Sequence, residues 1–522
     1  MLRIFFIALL ILTSSAQVSA EKILFIPHDD RPVCFQQPVE VVSQLGYKII
    51  SPPIELLTQP DELWIWFNEN ARKAKVAVVA SDALLYGGLI PSRSHQIPVE
   101  ILDARVENFK TLRQNNPSLQ IYAFGSLMRT PQSGTPGDIE EPDYYGQYGA
   151  DIFQLTRLLD KQETSELSKE EKIYLDTLEK NIPDEILDDY FARRLKNLLA
   201  TKKLLDLTNE NFINCFIIGR DDNSPLSQTH RENVILTNHI KELDIPKTKA
   251  QSHVGIDEYA MLLLTRAVND ITHEFPAVYV EFNRGKGAKT VPAYSDEQIA
   301  DSISDEIFIA GGLPTSNPKK ADLVLLANTD RKGKTFHTHN SFPPQILTAK
   351  QQKYLNRNAE YFATLVEDAV NKNLPVGVAD ITFANGSDNF LMTHLRDKNL
   401  LFKLQSYAGW NTATNTSGFA LGAGILAKKM SRASKDRLLA TRYLDDWAFQ
   451  ANVRTQIADE LSKLPDGLQI YLNLGEYESE IVSRENLLMK NFAAKNLPRW
   501  KNFTVSNTWH RMFECEINFA ER

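Results

Sequence analysis

The stretch "KILFIPHDDRP" (22–32) places a short apolar run directly before a cluster of charged side chains. Such a run is typical of a strand that is buried on both faces. Seven further runs of this kind follow, which are "KVAVVAS" (75–81), "QIYAFG" (120–125), "NCFIIG" (214–219), "AVYVEF" (277–282), "ADLVLLAN" (321–328), "LPVGVAD" (374–380) and "LQIYLNLG" (468–475). Amphipathic helical patterns separate most of them, which indicates parallel sheets covered on both faces. We therefore predict an α/β fold of parallel sheets with flanking helices. It has a barrel-like or doubly wound N-terminal domain and a second α/β domain.

The chain of 522 residues is too long for one ordinary domain. A Gly/Lys-rich segment, "NRGKGAKTVP" (283–292), follows a predicted strand and marks a boundary. We therefore predict an N-terminal α/β domain at 21–282, a second α/β domain at 293–460 and a C-terminal portion at 461–522. A single barrel-like domain with insertions is the alternative.

A charged, helix-periodic segment at about 160–207 interrupts the N-terminal domain. Ser168 and Glu171 have the spacing of a capping box, which starts a helix, and Pro183 divides two helices. We predict a helical insertion between strands, and its many charges are typical of a solvated face.

The first twenty residues, "MLRIFFIALLILTSSAQVSA", have the order of a secretory signal peptide. Arg3 precedes an apolar run from Ile4 to Leu12, and small residues lead to a cleavage site after Ala20. The run is too short to span a bilayer, and no later stretch is apolar for long enough. We expect a secreted or periplasmic protein with no transmembrane segment after signal cleavage. A membrane anchor is the alternative.

Composition excludes several classes of partner. The formal net charge of -8 does not favour nucleic acid or an anionic membrane. The three cysteines, Cys34, Cys215 and Cys515, are widely spaced and include no C-x-x-C, so neither a disulfide framework nor a cysteine metal site is indicated. One disulfide bond remains open, without an assigned pair. We predict no cofactor and no metal.

Charged side chains follow five of the predicted strands. They are His28, Asp29, Asp30 and Arg31 after the first strand, Asp82 and Arg93 after the second, Arg129 after the third, Asp221 and Asp222 after the fourth, and Asp380 after a later one. In parallel α/β folds, ligands bind beyond the carboxyl ends of the strands. We expect these loops to line one cleft. Helix capping, turn formation and simple ion pairing are the structural alternatives.

The stretch "SHVGIDEYAMLLLTRA" (252–267) begins an amphipathic helix with His253, Asp257 and Glu258 near its start. On a helix, His253 and Asp257 share a face because they are four residues apart. The two acids are candidates for catalysis, and stabilisation of the helix dipole is the alternative.

The stretch "SYAGWNTATNTSG" (406–418) predicts a turn from a strand to a helix, rich in uncharged hydrogen-bonding groups. Trp410 can stack on a sugar ring, and Asn411 and Asn415 can bond hydroxyl groups. Helix capping by Asn415 is the alternative. The tyrosines of "EEPDYYGQYG" (140–149) suit sugar rings as well, or pack the loop onto its own domain.

Five motifs together resemble one bacterial family, catalogued as domain of unknown function 4127. They are "DDRPVC", "EEPDYYGQYG", "GRDDNSP", "HVGIDEYAMLLLTRA" and "YAGWNTATNTSG". The resemblance extends from about Ile23 to beyond Trp447. It implies one integrated set of domains with a shared site, and it assigns no catalytic residue.

These observations favour an exported hydrolase, a glycosidase, that acts on a carbohydrate or glycoconjugate. The expected partner is a carbohydrate or another hydroxyl-rich small molecule. Glycoside cleavage needs one carboxyl group as acid and a second as nucleophile or base. Asp30 and Asp222 are the first candidates, followed by Asp257 and Glu258. Two alternatives remain open, which are a periplasmic sugar-binding protein and a metal-dependent ester or phosphate hydrolase with the ligands His28, Asp30, Asp222 and His253.

Overall fold

The computed structural model describes residues 21–339 and 341–520, and it contains two open parallel β-sheets. The predicted signal peptide lies outside these residues. The strands are β1 (Lys22–Ile26), β2 (Lys48–Ile50), β3 (Val76–Ala80), β4 (Gln120–Leu127), β5 (Cys215–Arg220), β6 (Ala250–Val254), β7 (Ala277–Phe282), β8 (Leu313–Pro314), β9 (Leu323–Asn328), β10 (Val376–Asp380), β11 (Ser406–Ala408), β12 (Phe503–Asn507) and β13 (Cys515–Phe519).

Helices flank both sheets. They are α1 (Gln36–Ser43), α2 (Pro60–Ala71), α3 (Ser81–Tyr86), α4 (Leu89–Ser94), α5 (Val99–Asn115), α6 (Tyr145–Thr164), α7 (Lys169–Asn181), α8 (Asp184–Asn209), α9 (Gln228–Glu242), α10 (Tyr259–Thr272), α11 (Ile299–Ile309), α12 (Ala349–Asn371), α13 (Asn389–Asp397), α14 (Ala413–Ala427), α15 (Arg432–Arg442), α16 (Arg454–Leu461), α17 (Gly467–Leu472) and α18 (Glu478–Asn496). The α/β prediction is confirmed. No helix in the described part of the chain combines the length and apolar character needed to cross a bilayer.

Both sheets follow one plan. The first has the order β2-β1-β3-β4-β5-β6, and the second, read from its other edge, has the order β8-β7-β9-β10-β11. In each sheet, the strand that comes second along the chain lies at the edge, next to the strand that comes first. The strand that comes third lies on the other side of the first strand. The sheets are therefore doubly wound rather than barrel-like. Each has a switch point between its first and third strands, where ligands bind in such folds.

Register places the strand ends of the first sheet at a common edge. Ile26 pairs with Val79, and Ala80 pairs with Phe124. Leu127 and Val254 both pair with Arg220, the last residue of β5. The polar loops that begin after these strands therefore start side by side, as the sequence predicts.

Helix α14 joins the two sheets. All of its side chains are buried, because it packs against α10 of the first half and against β10 and β11 of the second. The crossing with α10 is close at two glycines. A Cβ atom at Gly418 would lie 2.6 Å from Cγ of Glu258, and one at Gly422 would lie 3.0 Å from Cγ of Met261.

The insertion in the first half is helical, as predicted. Helices α6, α7 and α8 share a small hydrophobic core of their own. The capping box is present, since Ser168 and Glu171 each bond the other's backbone amide. Pro183 lies between α7 and α8. The tyrosines of the 140–149 loop pack into this core, which is the structural alternative for that motif.

Two sequence interpretations differ from the structure. The run "LQIYLNLG" (468–475) is not a strand. It forms α17 and a following turn, and Ile470, Tyr471 and Leu474 are buried at helical spacing. Strand β7 pairs with β9, so the change from the first sheet to the second comes before the boundary at 283–292.

The C-terminal portion packs onto the core of the second sheet. Between α15 and α16 the chain is π-helical over Tyr443–Val453. The portion ends in an antiparallel hairpin of β12 and β13. The three cysteines are free and buried.

Candidate functional site

A cavity of about 210 Å³ lies where the carboxyl ends of both sheets face the C-terminal hairpin. Its lining comprises Arg31, Leu89, Ile90, Arg93, Arg129, Glu140, Asp221, Asp222, Asp257, Tyr294, Asn385, Trp410, Asn411, Thr412, Asn415, Gln450, Arg454, Trp509, Arg511, Phe513 and Glu514. Five arginines and five carboxylates are among these residues, so the cavity is highly charged.

Nine residues singled out by the sequence line this one cavity. They are Arg31, Arg93, Arg129, Asp221, Asp222, Asp257, Trp410, Asn411 and Asn415. Five of them come from the segments that follow four strands of the first sheet, and among these Arg93 lies in α4. Asp257 lies just before α10, Trp410 and Asn411 follow β11, and Asn415 lies in the first turn of α14. The other six candidates, which are His28, Asp29, Asp30, Asp82, Glu258 and Asp380, lie outside its lining.

Asp257 is held by cations on one oxygen and by amides on the other. Its Oδ1 accepts from Nη2 of Arg31 at 2.5 Å and lies 3.2 Å from Nε2 of His28. Its Oδ2 accepts from the side-chain amides of Asn411 at 2.9 Å and Asn415 at 3.3 Å. Burial alone would raise the pKa of Asp257, but Arg31 and His28 outweigh it and hold the pKa below its ordinary value. Asp257 is therefore an ionised carboxylate.

His28 and Asp29 form a layer behind Arg31. Nε2 of His28 lies 3.1 Å from Oδ2 of Asp29, which also accepts from Nη2 of Arg31 at 2.8 Å. Burial opposes the charged imidazole, but Asp29 and Asp257 outweigh it and raise the pKa of His28 to about 9. His28 is therefore protonated at neutral pH, and the layer fixes Arg31 and Asp257 in place.

Asp222 has the opposite electrostatic environment. Burial, and then the adjacent Asp221, raise its pKa to about 7 although Arg129 and Arg93 act against them. Nη1 of Arg129 donates to Oδ2 of Asp222 at 3.1 Å, and Nη2 of Arg93 donates to Oδ2 of Asp221 at 2.5 Å. Asp222 also has a positive φ of 40°, which Asp tolerates better than most residues. Because of its raised pKa, Asp222 keeps its proton to a higher pH than an ordinary aspartate does.

Glu140 links three arginines of the cavity wall. Its Oε2 lies 3.1 Å from Nη1 of Arg93 and 3.0 Å from Nη2 of Arg129, and its Oε1 accepts from Nη1 of Arg511 at 2.6 Å. Burial opposes its charge, but Arg129, Arg511 and Arg93 hold the pKa of Glu140 well below its usual range. The carboxylate therefore fixes strand-end loops of the first sheet to the C-terminal hairpin.

Asp30 and Glu258 contribute indirectly. Oδ1 of Asp30 accepts the indole N–H of Trp509 at 2.6 Å, so Asp30 positions an aromatic wall of the cavity. Glu258 is fully buried beneath α14, and its Oε1 lies 3.4 Å from Nδ1 of His253. Burial raises its pKa, so Glu258 favours the neutral form. Neither side chain reaches the cavity, because Trp509 covers one and α14 covers the other.

Asp82 and Asp380 support backbone and side chains below the cavity. Oδ2 of Asp82 accepts the backbone amide of Ser126 at 2.9 Å, and burial raises the pKa of Asp82 to about 6. Oδ2 of Asp380 accepts the hydroxyl of Tyr407 and the backbone amide of Asp388, both at 2.8 Å. Asp82 ties the ends of β3 and β4 together, and Asp380 ties β10 to β11.

The profile of one family, described as protein of unknown function (DUF4127), matches residues 23–518. The chain belongs to the DUF4127 family. No curated protein and no solved structure matches it significantly. The resemblance drawn from the five motifs is confirmed, and the site residues described above all lie within the matched part of this DUF4127 chain.

Sequence reasoning missed the C-terminal wall of the DUF4127 site. Trp509, Arg511 and Glu514 come from the turn between β12 and β13, and Arg454 comes from the start of α16. These residues follow no buried parallel strand, so the strand-end rule does not find them. The available signal was the string "TWHRMFE" (508–514), which concentrates aromatic and charged residues in a short turn.

A metal-like cluster of ligand atoms lies behind the cavity of the DUF4127 chain. Atoms of His28, Asp29, Cys34 and Asp257 all lie within 4.8 Å of one another. Nη2 of Arg31 lies 2.8 Å from Asp29, 2.5 Å from Asp257 and 3.3 Å from His28. The guanidinium and the protonated imidazole of His28 therefore supply positive charge to this cluster.

The metal set considered from the sequence is not brought together. His253 instead approaches Tyr259 and the carbonyl of Ser302, each at 3.1 Å. Asp30 contacts Trp509, and Asp222 contacts Arg129. Of that set, the cluster of ligand atoms behind the cavity contains His28 alone.

Proposed function

We propose that the protein is an exported glycoside hydrolase in which Asp222 is the general acid and Asp257 is the second carboxylate. The observation that carries the proposal is that these two groups line one cavity and that their environments shift their pKa values in opposite directions. Carboxyl pairs whose environments push their pKa values apart are typical of acid and base assignments.

The proposed reaction uses the difference in pKa between Asp222 and Asp257. Asp222, with a pKa of about 7, gives its proton to the leaving glycosidic oxygen as the bond from that oxygen to the anomeric carbon breaks. Asp257 stays ionised beside Arg31 and faces the developing positive charge of the sugar ring. It acts as nucleophile or as the base that takes a proton from water, and water supplies the hydroxyl group of the product.

The remaining lining residues suit a sugar. Trp410 and Trp509 offer flat apolar surfaces, and Asn411 and Asn415 offer amide groups next to Asp257. These amides hold Asp257 in the free protein and can also bond substrate hydroxyls. The pattern of the first twenty residues supports export, which N-terminal sequencing of the mature protein would test.

A screen of activated glycosides tests the proposal. Purified protein of residues 21–522 is assayed with chromogenic α- and β-glycosides, including amino sugars and sugar acids. Asp222→Asn and Asp257→Asn are each expected to lower kcat by roughly 10²- to 10⁴-fold with folding retained. Asp61→Asn is the control, since Asp61 is an exposed aspartate of α2 outside the cavity that pairs with Arg105, and it is expected to keep the turnover. Full turnover by Asp222→Asn would refute the assignment.

A non-catalytic sugar-binding protein is the second candidate. The observation that favours it is the shared strand order of the two sheets, which face one polar cleft. This candidate predicts a thermal shift with a free sugar and no glycoside turnover in the same screen.

A further inference from the structure

Arg454 differs in its partners from the other four arginines of the cavity wall. Arg31, Arg93, Arg129 and Arg511 each pair with at least two carboxylates within 4 Å. Nε of Arg454 donates to the Tyr471 hydroxyl at 2.8 Å, and Nη1 donates to Oε1 of Gln450 at 2.5 Å. Within residues 21–339 and 341–520, its Nη2 has no hydrogen-bond partner.

The surroundings of Arg454 do not neutralise its charge. Its side chain is 1% exposed. Its guanidinium lies 4.6 Å from the ring centre of Phe513 and 5.8 Å from that of Tyr471. The nearby His339 is uncharged at neutral pH, since burial and the charge of Arg454 lower its pKa to about 4. In the part of the chain that the structure describes, the contacts of this buried cation are to neutral and aromatic groups. Such burial of a charge is costly, so a counter-charge from a ligand would stabilise it.

Arg454 also lies on the cavity wall with Gln450, Asn385 and Phe513. A planar guanidinium binds carboxylate or phosphate oxygens in a bidentate manner. Asp222 and Asp257 line the same cavity, so a ligand that contacts Arg454 and the two carboxylates needs both an acidic group and hydroxyl groups.

We propose that the substrate is an acidic sugar whose carboxylate or phosphate group binds Arg454. This inference rests on the proposed function, because it names the class of sugar that the proposed glycoside hydrolase takes as substrate in the same cavity. Arg454 is thereby a specificity-determining residue, and it takes no part in the proton transfers.

Equilibrium binding tests the inference without turnover. Isothermal titration of the intact protein uses glucuronate, glucose 6-phosphate, glucose and inorganic phosphate. At least one acidic sugar is expected to bind tenfold to a hundredfold more tightly than glucose, which is the range of a charge-assisted hydrogen bond. Glucuronate and glucose 6-phosphate distinguish a carboxylate from a phosphate. Equal binding of acidic and neutral sugars, binding of phosphate alone, or no binding of any acidic sugar would overturn the inference.

Substitutions of Arg454 test whether this residue causes the preference for acidic over neutral sugars. Arg454→Gln is expected to lose it while glucose binding stays unchanged, and Arg454→Lys is expected to retain part of it. Arg484→Gln is the control, since Arg484 is an exposed arginine outside the cavity that pairs with Glu460, and it is expected to keep the preference. A preference that survives in Arg454→Gln would overturn the inference. If Arg454→Gln does not fold, Arg454→Lys and the wild-type ratio decide.

The two proposals fail in different ways. Acidic sugars that bind through Arg454 without any glycoside turnover would keep this inference and refute the hydrolase. Turnover of neutral glycosides that depends on Asp222, with no preference for acidic ones, would keep the hydrolase and refute this inference.

Discussion

Asp221→Asn should move the pH dependence of catalysis without removing the proposed acid. Asp221 is the neighbouring charge that, after burial, raises the pKa of Asp222 most. Asparagine keeps the size of the side chain and an oxygen that can accept from Arg93, but it removes the negative charge. The pKa of Asp222 should therefore fall, and the active, protonated form should be lost at lower pH.

The magnitude follows from the pKa of about 7 in the wild-type protein. Only protonated Asp222 can act as an acid, so activity is full well below this pKa and falls as pH rises through it. Above it, kcat/KM falls about tenfold for each pH unit. Loss of a like-charged neighbour lowers a carboxyl pKa by roughly one to two units. At pH 8 the variant should therefore retain at most about a tenth of wild-type kcat/KM, while at pH 5 the difference should be small.

The assay is a profile of kcat/KM from pH 5 to 9 with the best chromogenic glycoside of the panel. Glu514→Gln is the matched control, because it also removes a carboxylate from the cavity wall but one that pairs with Arg511. Its basic limb should coincide with that of the wild type. Carbon-13 NMR titration of labelled aspartate carboxyl groups gives the same pKa values without turnover.

Two results would contradict the reasoning. A basic limb that stays at the same pH in Asp221→Asn would show that Asp222 is not the group that limits activity. A limb that moves equally in Glu514→Gln would show a general response to cavity charge rather than a specific effect of Asp221.

Three further predictions concern stability. Glu140→Gln should lower the free energy of unfolding by about 3 kcal/mol, since Arg511 and its neighbours lose a shared carboxylate; an unchanged urea midpoint would contradict this. Gly418→Ala should lower Tm by the equivalent of about 1–3 kcal/mol, because its Cβ would lie 2.6 Å from Cγ of Glu258. Alanine usually stabilises helix interiors, so a rise in Tm would show that the α10–α14 crossing relaxes. EDTA should leave Tm and turnover unchanged because Arg31 and protonated His28 already supply positive charge to the buried carboxylates of Asp29 and Asp257. Stoichiometric metal in the purified protein, with a fall in Tm on chelation, would show otherwise.

The strand-end part of the site could be predicted from the sequence because of a simple geometric rule. Parallel strands end at one edge, so charged residues such as Arg93, Arg129 and Asp222 come together although about 130 residues separate the first from the last. The choice between the adjacent Asp29 and Asp30 could not be predicted. It depends on tertiary partners, since Asp29 pairs with Arg31 while Asp30 accepts from Trp509.

The composition of two other elements, β6 and α17, prevented a correct prediction of their secondary structure. Strand β6 reads "AQSHV" and carries Gln251 and His253 as buried polar residues, so it lacks the apolar signal of its neighbours. Helix α17 was predicted as a strand, because its apolar residues in "LQIYLNLG" also fit a strand pattern. Short runs of this length are ambiguous in periodicity, and packing against the second core decides the outcome.

The π-helical segment Tyr443–Val453 makes the number of residues in this region as important as their identity. The backbone amide of Arg454 donates to the carbonyl of Phe449, five residues back instead of four. Loss of one residue here would let the chain return to α-helical geometry and rotate everything after it by about 100° about the helix axis. Arg442, before the segment, would keep its ion pair with Asp446, whereas Arg454 would leave the cavity wall. A change in the length of this segment therefore displaces the site even where every buried side chain of the segment is kept.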